Sequence, residues 1–199
     1  VGCYFHDVGK LTNPQYFVEN QTRFNPHDRL PAHQSAEIIK AHVTQGLRLA
    51  EEARLPAVVQ AFIPEHHGTL EISYFADRAR RQGDPAARAS GYRYPGPRPR
   101  SAETAITMLA DSVEASLRVI DDLTPARIEE VIEHMVRTRL AAGQLDEAPL
   151  TLDQLRLVKQ EFLRMLAGMY HGRIDYPESG GGISAGWQAG RAARPSAGL

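Results

Sequence analysis

Apolar residues recur along most of the chain at the three- and four-residue spacing of one helical face. The pattern covers residues 31–50, 55–67, 101–120, 124–143 and 151–170. The strict alternation of apolar and polar residues that is typical of half-buried strands is missing from the sequence. We therefore predict an all-α fold built from these five segments.

Residues at the ends of these segments support the prediction. Side chains that cap helices stand at three of the predicted starts: Ser101, Thr124 followed by Pro125, and Thr151 with Gln154 in a capping box. Gly68 follows the 55–67 segment, where a residue in the left-handed conformation commonly ends a helix. Pro64 is expected to bend that helix near its end, because proline lacks a backbone donor.

Two segments have a different composition. Residues 178–199 are rich in Gly, Ser and Ala and poor in large apolar side chains, so we expect a disordered tail after a single domain formed by residues 1–177. Residues 83–100 carry four prolines and four arginines with one acidic residue. This basic loop could contact an anion, but a solvated connector is the favoured interpretation.

The overall charge narrows the functional class. Lys and Arg total 23 against 24 Asp and Glu, which gives a net charge of -1 and no polycation for a nucleic acid polymer. The single cysteine, Cys3, excludes an intrachain disulfide and suits a reducing compartment. No run reaches the roughly 20 apolar residues of a membrane-spanning helix. The sequence begins at Val1 without Met, so we expect a piece of a longer protein, in which a membrane segment would precede this residue.

Several histidines and aspartates lie within apolar surroundings: His6, Asp7, His42, His66, His67 and Asp111. Burying an imidazole or a carboxylate costs several kcal/mol unless the group is paired or bound to a metal. Imidazole nitrogen and carboxylate oxygen are ligands for Fe, Mn, Zn or Co. A structural zinc site is disfavoured, because Cys3 alone cannot supply a cage of thiolates.

Each of these residues has an ordinary interpretation when it is taken singly. His42 could be a hydrogen-bonded core histidine, and His66 with His67 could face the dipole at a helix C-terminus. Asp111 could lie on a solvated helical stripe. A second His-Asp pair, His27-Asp28, follows Asn25-Pro26 and is interpreted as a turn. No role is assigned to the three remaining histidines: His33, His134 and His171.

The order of the motifs is more specific than any one of them. HDVGK at residues 6–10, the helical His42, HHGT at 66–69 and LADSVEA at 109–115 resemble the signature of HD-domain metal-dependent phosphohydrolases. Further motifs narrow the resemblance: YFVENQ at 16–21, NPHD at 25–28, YRYPGPRPRS at 92–101, GQLDEAPLTL at 143–152 and YHGRIDYP at 170–177. Over residues 1–177 the chain resembles the cytoplasmic HD domain of the bacterial seven-transmembrane HD-domain cyclic di-AMP phosphodiesterases.

This resemblance implies an HD-domain helical bundle with a buried centre of two divalent metal ions, described in the family as iron or manganese. By motif match, Asp7 would bridge the two ions, and the other ligands would divide into two sets: His6 and Asp111 for the first ion, and His42, His66 and His67 for the second. The family also has a histidine upstream of the HD pair. The sequence begins after that position, so we expect weaker occupancy of the first site.

The implied function is hydrolysis of a cyclic dinucleotide, cyclic di-AMP to pApA, by a hydroxide that bridges the metals. Lys10 would neutralise a phosphate oxygen, although it could also be an ordinary surface lysine. Adenine could stack on an aromatic side chain near the loops, and none is singled out: Tyr16, Phe17, Tyr92 or Tyr94. The preference for cyclic di-AMP over cyclic di-GMP rests on the resemblance alone.

Two other functions stay open from the sequence. One is a nucleotide phosphohydrolase of another HD type, and the other is a catalytically silent module that senses a nucleotide. Under the leading hypothesis the chain is a cytoplasmic domain of a bacterial inner-membrane protein, and its link to the membrane runs only through segments before Val1.

Overall fold

Helices form the whole framework of the computed structural model, which describes residues 1–21, 24–84 and 90–171. In these ranges the α-helices are α1 (Gly2–Phe5), α2 (Ala32–Glu52), α3 (Ala57–Gln60), α4 (Phe62–Glu65), α5 (Ser73–Arg81), α6 (Ala102–Leu117), α7 (Pro125–Ala141) and α8 (Leu152–His171). Short 3-10 helices span Val8–Thr12, Pro14–Tyr16, Val18–Asn20, Pro26–Arg29 and Ser90–Tyr92. The described ranges contain no strand beyond one isolated bridge, which pairs Glu71 with Arg93. The all-α prediction is confirmed. None of the described helices combines the length and the apolar character needed to cross a membrane.

The three predicted caps are present at the starts of α6, α7 and α8. Ser101 Oγ accepts a hydrogen bond from the Thr104 backbone N–H at 3.1 Å, and Thr124 Oγ1 accepts one from the backbone N–H of Arg127 at 3.3 Å. Thr151 and Gln154 form the reciprocal pair of a capping box, with N···O distances of 3.2 and 2.8 Å. These side chains satisfy backbone donors that the first turn of a helix leaves free.

The predicted helix over residues 55–67 is wrong in its continuity, because two short helices, α3 and α4, replace it with a turn at Ala61. The interruption lies one turn before Pro64. Pro64 has no N–H to donate to the carbonyl of Gln60, so one hydrogen bond of the helical ladder is missing at this turn. Ala61 nevertheless keeps right-handed helical angles, with φ −56° and ψ −30°. Gly68 has a φ of +53°, the left-handed conformation expected of a residue that ends a helix.

Two packing regions surround the point where α2, α4 and α6 approach one another. In one region α6, α7 and α8 enclose the largest group of buried side chains, which includes Met108, Leu109, Val113, Ile128 and Ile132. In the other, α2 packs against α5 and α4 through smaller clusters that include Ala36, Phe75, Val43 and Ile63. Val43, Leu109 and Ile128 lie on apolar faces that the helical spacing predicts, whereas Phe75 belongs to α5, which lies outside the five predicted segments. The resulting framework is a helical bundle that fixes α2, α4 and α6 relative to one another.

The basic loop is fastened to the bundle over its described part, so its interpretation as a solvated connector is wrong for residues 90–100. Tyr92 is 1% exposed, and the Tyr94 backbone N–H donates to the Leu70 carbonyl at 2.9 Å. Arg98 pairs with Asp146 at an N···O distance of 3.4 Å, and Arg100 pairs with Glu147 at 3.2 Å. The prolines and arginines of this segment therefore serve internal contacts. Residues 85–89, and the predicted tail 178–199, lie outside the described residues.

Candidate metal centre

The HD pair lies at the junction of α1 and the 3-10 helix Val8–Thr12, directly beside α2. Gly9 makes this approach possible, because a Cβ atom there would lie 1.8 Å from the backbone oxygen of His42 and 2.6 Å from the backbone nitrogen of Gly46. Without a side chain, the backbone of residue 9 rests on the backbone of α2. The contact brings Asp7 next to His42.

All six residues singled out from the sequence meet at this place, in two groups that share Asp7. The first group contains Asp7, His42, His66 and His67, and the second contains His6, Asp7 and Asp111. Within each group the ligand atoms lie within 4.8 Å of one another.

The two oxygens of Asp7 face different groups. Asp7 Oδ1 is 3.5 Å from Nε2 of both His42 and His66. Asp7 Oδ2 lies 3.3 Å from His6 Nε2, which in turn is 3.9 Å from Asp111 Oδ1. One carboxylate thus stands between two clusters of nitrogen and oxygen donors.

Backbone carbonyls orient three of the four imidazoles. The Nδ1 atoms of His6, His42 and His66 lie 2.6, 2.5 and 3.0 Å from the carbonyl oxygens of Cys3, Ile39 and Phe62, respectively. A carbonyl oxygen only accepts, so each Nδ1 carries a proton, and in the neutral form of each ring Nε2 presents a lone pair towards Asp7. This arrangement is typical of histidines that bind a metal through Nε2.

The centre also contains buried polar atoms that no hydrogen bond satisfies within the described part of the chain. They are Asp7 Oδ1, His42 Nε2 and His66 Nε2, the three atoms that face one another across the first group. Leaving such atoms unpaired is costly, and three that converge on one point require a common partner. A divalent cation fits this donor set, because it accepts lone pairs from imidazole and carboxylate together.

Burial and neighbouring charges shift the pKa values of these groups in different directions. Burial lowers the pKa of His6, but the adjacent Asp7 carboxylate outweighs it and raises this pKa to about 8. Burial lowers the pKa of His42 to about 4 and takes the pKa of His67 well below its ordinary value. Burial opposes ionisation of Asp7, but its close contacts with His6 and His66 and the charge of Lys10 hold the pKa of this carboxyl well below its usual range. Burial raises the pKa of Asp111, with a further contribution from the charge of Asp7. At neutral pH His42 and His67 are therefore neutral imidazoles near the ionised carboxylate of Asp7.

Two aromatic side chains that the sequence left without a role support the imidazoles. The ring of Tyr94 stacks on His67, with centroids 4.1 Å apart and planes inclined by 13°. Phe17 meets His42 edge to face at 5.6 Å. Tyr92, by contrast, belongs to the core.

The remaining histidines are placed elsewhere. The His27-Asp28 turn is confirmed, since Asn25 Oδ1 accepts from the His27 backbone N–H at 3.0 Å. His27 itself is buried, 4% exposed, and packs on Phe75 with ring centroids 4.9 Å apart. It therefore has a structural role. His33 and His134 are exposed on helices α2 and α7.

A buried carboxylate beside the histidine pair was missed in the sequence. Glu65 is 6% exposed, and its Oε2 accepts hydrogen bonds from Thr104 Oγ1 at 2.6 Å and from the backbone N–H of Arg100 at 2.9 Å. Through these bonds Glu65 links two parts of the chain. One is the segment that contains His66, and the other is the first turn of α6, the helix that contains Asp111. Its sequence signal was an acidic residue within the apolar stretch that precedes HHGT.

Replacing Glu65 with Ala is expected to lower the free energy of unfolding by about 3 kcal/mol, because the buried Thr104 hydroxyl and the partly buried backbone N–H of Arg100 lose their acceptor. Urea denaturation of the metal-free protein would measure the change. Glu52→Ala is the matched control, since Glu52 is largely exposed and pairs with Arg48 on the surface of α2. Equal stability of the two variants would refute the structural role of Glu65.

Lys10 is held beside Asp7 at the edge of a cavity of about 400 Å³. Its Nζ lies 2.6 Å from Asp7 Oδ2 and 2.8 Å from Glu19 Oε1, and it sits 5.2 Å from the ring centroid of Phe17. The cavity is bounded by the second group and by the adjoining face of α6. These contacts distinguish Lys10 from an ordinary surface lysine.

Comparison with known proteins agrees with this arrangement. The profile of the HD domain matches residues 1–116. The chain belongs to the HD domain family. The matched range contains every residue of the two groups, from His6 to Asp111. Members of the HD family depend on divalent metal ions, which agrees with the donor set described above.

The HD domain has close relatives in bacteria. It is 38% identical over 179 residues to the cyclic-di-AMP phosphodiesterase PgpH of Listeria monocytogenes, and 39% identical over 180 residues to that of Bacillus subtilis. These alignments cover 89% and 90% of the chain and 25% of each relative, so the chain spans about a quarter of the length of these curated relatives.

A solved structure has the same fold. The crystal structure of the L. monocytogenes PgpH HD domain in complex with cyclic-di-AMP matches with a TM-score of 0.82 and 37% identity, over 85% of this chain and 79% of that one. The HD-domain bundle expected from the motifs is therefore confirmed.

Proposed function

We propose that this HD domain is a metal-dependent phosphodiesterase that hydrolyses a cyclic dinucleotide, cyclic di-AMP to pApA. The observation that carries the proposal is the pair of ligand groups joined by the Asp7 carboxylate. Two divalent ions in such a centre supply a nucleophilic water and stabilise the charge that develops on phosphorus. The PgpH relatives and the cyclic-di-AMP complex of the Listeria domain support the choice of substrate.

Under this proposal Asp7 would contribute to both ion sites, His6 and Asp111 would hold the first ion, and the three remaining histidines would hold the second: His42, His66 and His67. The carbonyl contacts at Nδ1 support it, because they fix the ring orientations before metal binds. Iron or manganese is the proposed metal, since these ions accept mixed nitrogen and oxygen ligands.

Side chains around the centre are proposed to bind the substrate or to support the histidines. Lys10 is proposed to contact a non-bridging phosphate oxygen, because its ammonium group lies both beside Asp7 and on the cavity wall. Phe17 and Tyr94 keep His42 and His67 in place through ring contacts. The cavity next to His6 and Asp111 offers space for a ligand that reaches the centre from α6.

Product analysis tests the reaction. The domain, loaded with Mn²⁺ or Fe²⁺, is incubated separately with cyclic di-AMP, cyclic di-GMP and a nucleoside triphosphate, and the products are separated by chromatography. Formation of pApA from cyclic di-AMP is the expected result. Release of phosphate from the triphosphate alone would indicate an HD nucleotide phosphohydrolase, and tight nucleotide binding without product would indicate a sensing module.

Metal binding is expected to stabilise the fold. At a free Mn²⁺ concentration one hundred times the Kd, a site adds about 2.7 kcal/mol to the free energy of unfolding, which raises the Tm of a domain of this size by about 5–10 °C. A thermal melt with and without Mn²⁺ measures the shift.

Variants localise this stabilisation. His42→Ala is expected to lose most of the shift, because it removes a ligand whose Nε2 faces Asp7, whereas His134→Ala on the exposed face of α7 retains it. Equal shifts in both variants would refute the assignment of His42.

We also propose that residues 1–177 form one unit, the cytoplasmic HD domain of a longer bacterial inner-membrane protein. The share of the PgpH relatives that the chain spans, about a quarter, supports a longer parent protein. Fractionation of cells that express the full-length gene tests the proposal, which predicts the HD domain in the membrane fraction and exposed to protease only from the cytoplasmic side.

A further inference from the structure

A chain of charged side chains crosses the cavity wall beside the centre. Lys10 contacts Glu19, and the other oxygen of Glu19 lies 3.5 Å from Nη1 of Arg118. Arg118 also forms a two-pronged contact with Glu114, with N···O distances of 3.2 and 2.6 Å. Glu19 and Arg118 are separated by 99 positions in the sequence, so the tertiary fold fixes this guanidinium at the cavity.

The position of Arg118 relative to the centre follows from helical geometry. Arg118 caps the C-terminus of α6 with right-handed helical angles. It follows Asp111 by seven residues, or two helical turns, so their Cα atoms are about 10 Å apart. Long helical side chains point back towards the helix N-terminus, which directs Arg118 towards Asp111. Both residues line the same cavity.

Charge balance indicates what the cavity would accept. Its walls carry four carboxylates and two permanent cations: Asp7, Glu19, Asp111 and Glu114 against Lys10 and Arg118. This gives a net charge of minus two, which two divalent ions would turn into plus two. A cyclic dinucleotide has two phosphodiester groups and therefore a charge of minus two.

We propose that Arg118 binds the second phosphate of a cyclic dinucleotide, the one that is not hydrolysed. This inference rests on the proposed function. The metal centre and Lys10 engage one phosphodiester, which leaves the other with no cation unless the cavity provides one. The planar guanidinium suits two phosphate oxygens at once. Glu19 and Glu114 hold the guanidinium from two sides and so keep it oriented. A single exposed ion pair on a helix would restrain its orientation only weakly.

Two substrates separate this role from a general effect on the centre. Cyclic di-AMP has two phosphodiesters, whereas bis(4-nitrophenyl) phosphate has one and cannot reach a second subsite. For Arg118→Gln, the KM for cyclic di-AMP is expected to rise at least 10-fold, while kcat/KM for bis(4-nitrophenyl) phosphate stays within a factor of two. Arg118→Lys should recover part of the loss, since it restores the charge without the fork.

The matched control is Arg127→Gln, which removes an arginine that pairs with Glu130 on the surface of α7. Arg127→Gln should change neither the KM for cyclic di-AMP nor kcat/KM for bis(4-nitrophenyl) phosphate. An unchanged KM for cyclic di-AMP in Arg118→Gln would overturn the inference, as would an equal loss on both substrates.

Failure of the proposed function has a separate signature. Wild-type protein would then cleave bis(4-nitrophenyl) phosphate but leave cyclic di-AMP intact. In that case, equilibrium dialysis with cyclic di-AMP compares binding by the wild type and Arg118→Gln. At least 10-fold weaker binding by the variant would support the subsite without the reaction, and equal or absent binding would overturn both.

Discussion

Replacing Asp7 with Ala is expected to reduce kcat for cyclic di-AMP at least 1,000-fold while the domain stays folded. Asp7 is the only residue common to both ligand groups among the described residues, so its removal takes one donor from each proposed ion. A loss of about 4 kcal/mol of transition-state stabilisation corresponds to this factor. Initial rates of pApA formation and the bound metal content measure the effect, and circular dichroism measures the helix content.

The chain contains its own control for this variant. Asp28 belongs to a second His-Asp pair, but its side chain is exposed and His27 packs against Phe75 away from the centre. Asp28→Ala should therefore keep wild-type activity and metal content. An active Asp7→Ala protein would disprove the bridging role, and an inactive Asp28→Ala protein would show that the assay reports something other than the centre.

Replacing Gly9 with Ala is expected to lower the free energy of unfolding by more than about 3 kcal/mol. The new methyl group would lie 1.8 Å from the His42 carbonyl oxygen, and a backbone atom cannot yield as the end of a flexible side chain does. The 3-10 helix Val8–Thr12 must therefore move away from α2, and Asp7 moves with it. An added methyl group in a rigid backbone contact therefore lowers the free energy of unfolding strongly.

Gly168 provides the opposite expectation. It lies in α8, where an added Cβ meets nothing within 4 Å. Gly168→Ala should stabilise the domain by about 0.5–1 kcal/mol, because alanine loses less backbone entropy in a helix than glycine does. Urea denaturation of both variants is the measurement. Similar stabilities for Gly9→Ala and Gly168→Ala would show that residue 9 does not rest on α2.

The sequence by itself determined the all-α class, the longer helices and the list of candidate ligands, but not the break within residues 55–67 or helix α5. Helical spacing and capping side chains are local properties, so Ser101, Thr124 and Thr151 could be assigned without knowledge of the tertiary fold. Polar residues within apolar segments, such as His42 and Asp111, could be recognised as candidate ligands for the same reason. The order of the motifs then pointed to the HD family.

Only the tertiary structure decided which of these side chains meet, and what surrounds them. The two halves of the chain provide Glu19 and Arg118, and Glu65 reaches Thr104 across 39 positions. No local pattern encodes such contacts, because they depend on how α2, α4 and α6 pack. The basic loop was misinterpreted for this reason: its composition is that of a solvated connector, yet its backbone pairs with residues 70–72 and buries Tyr92. Composition reports the average behaviour of a segment, whereas the partners available after folding decide where its polar groups and aromatic rings are satisfied.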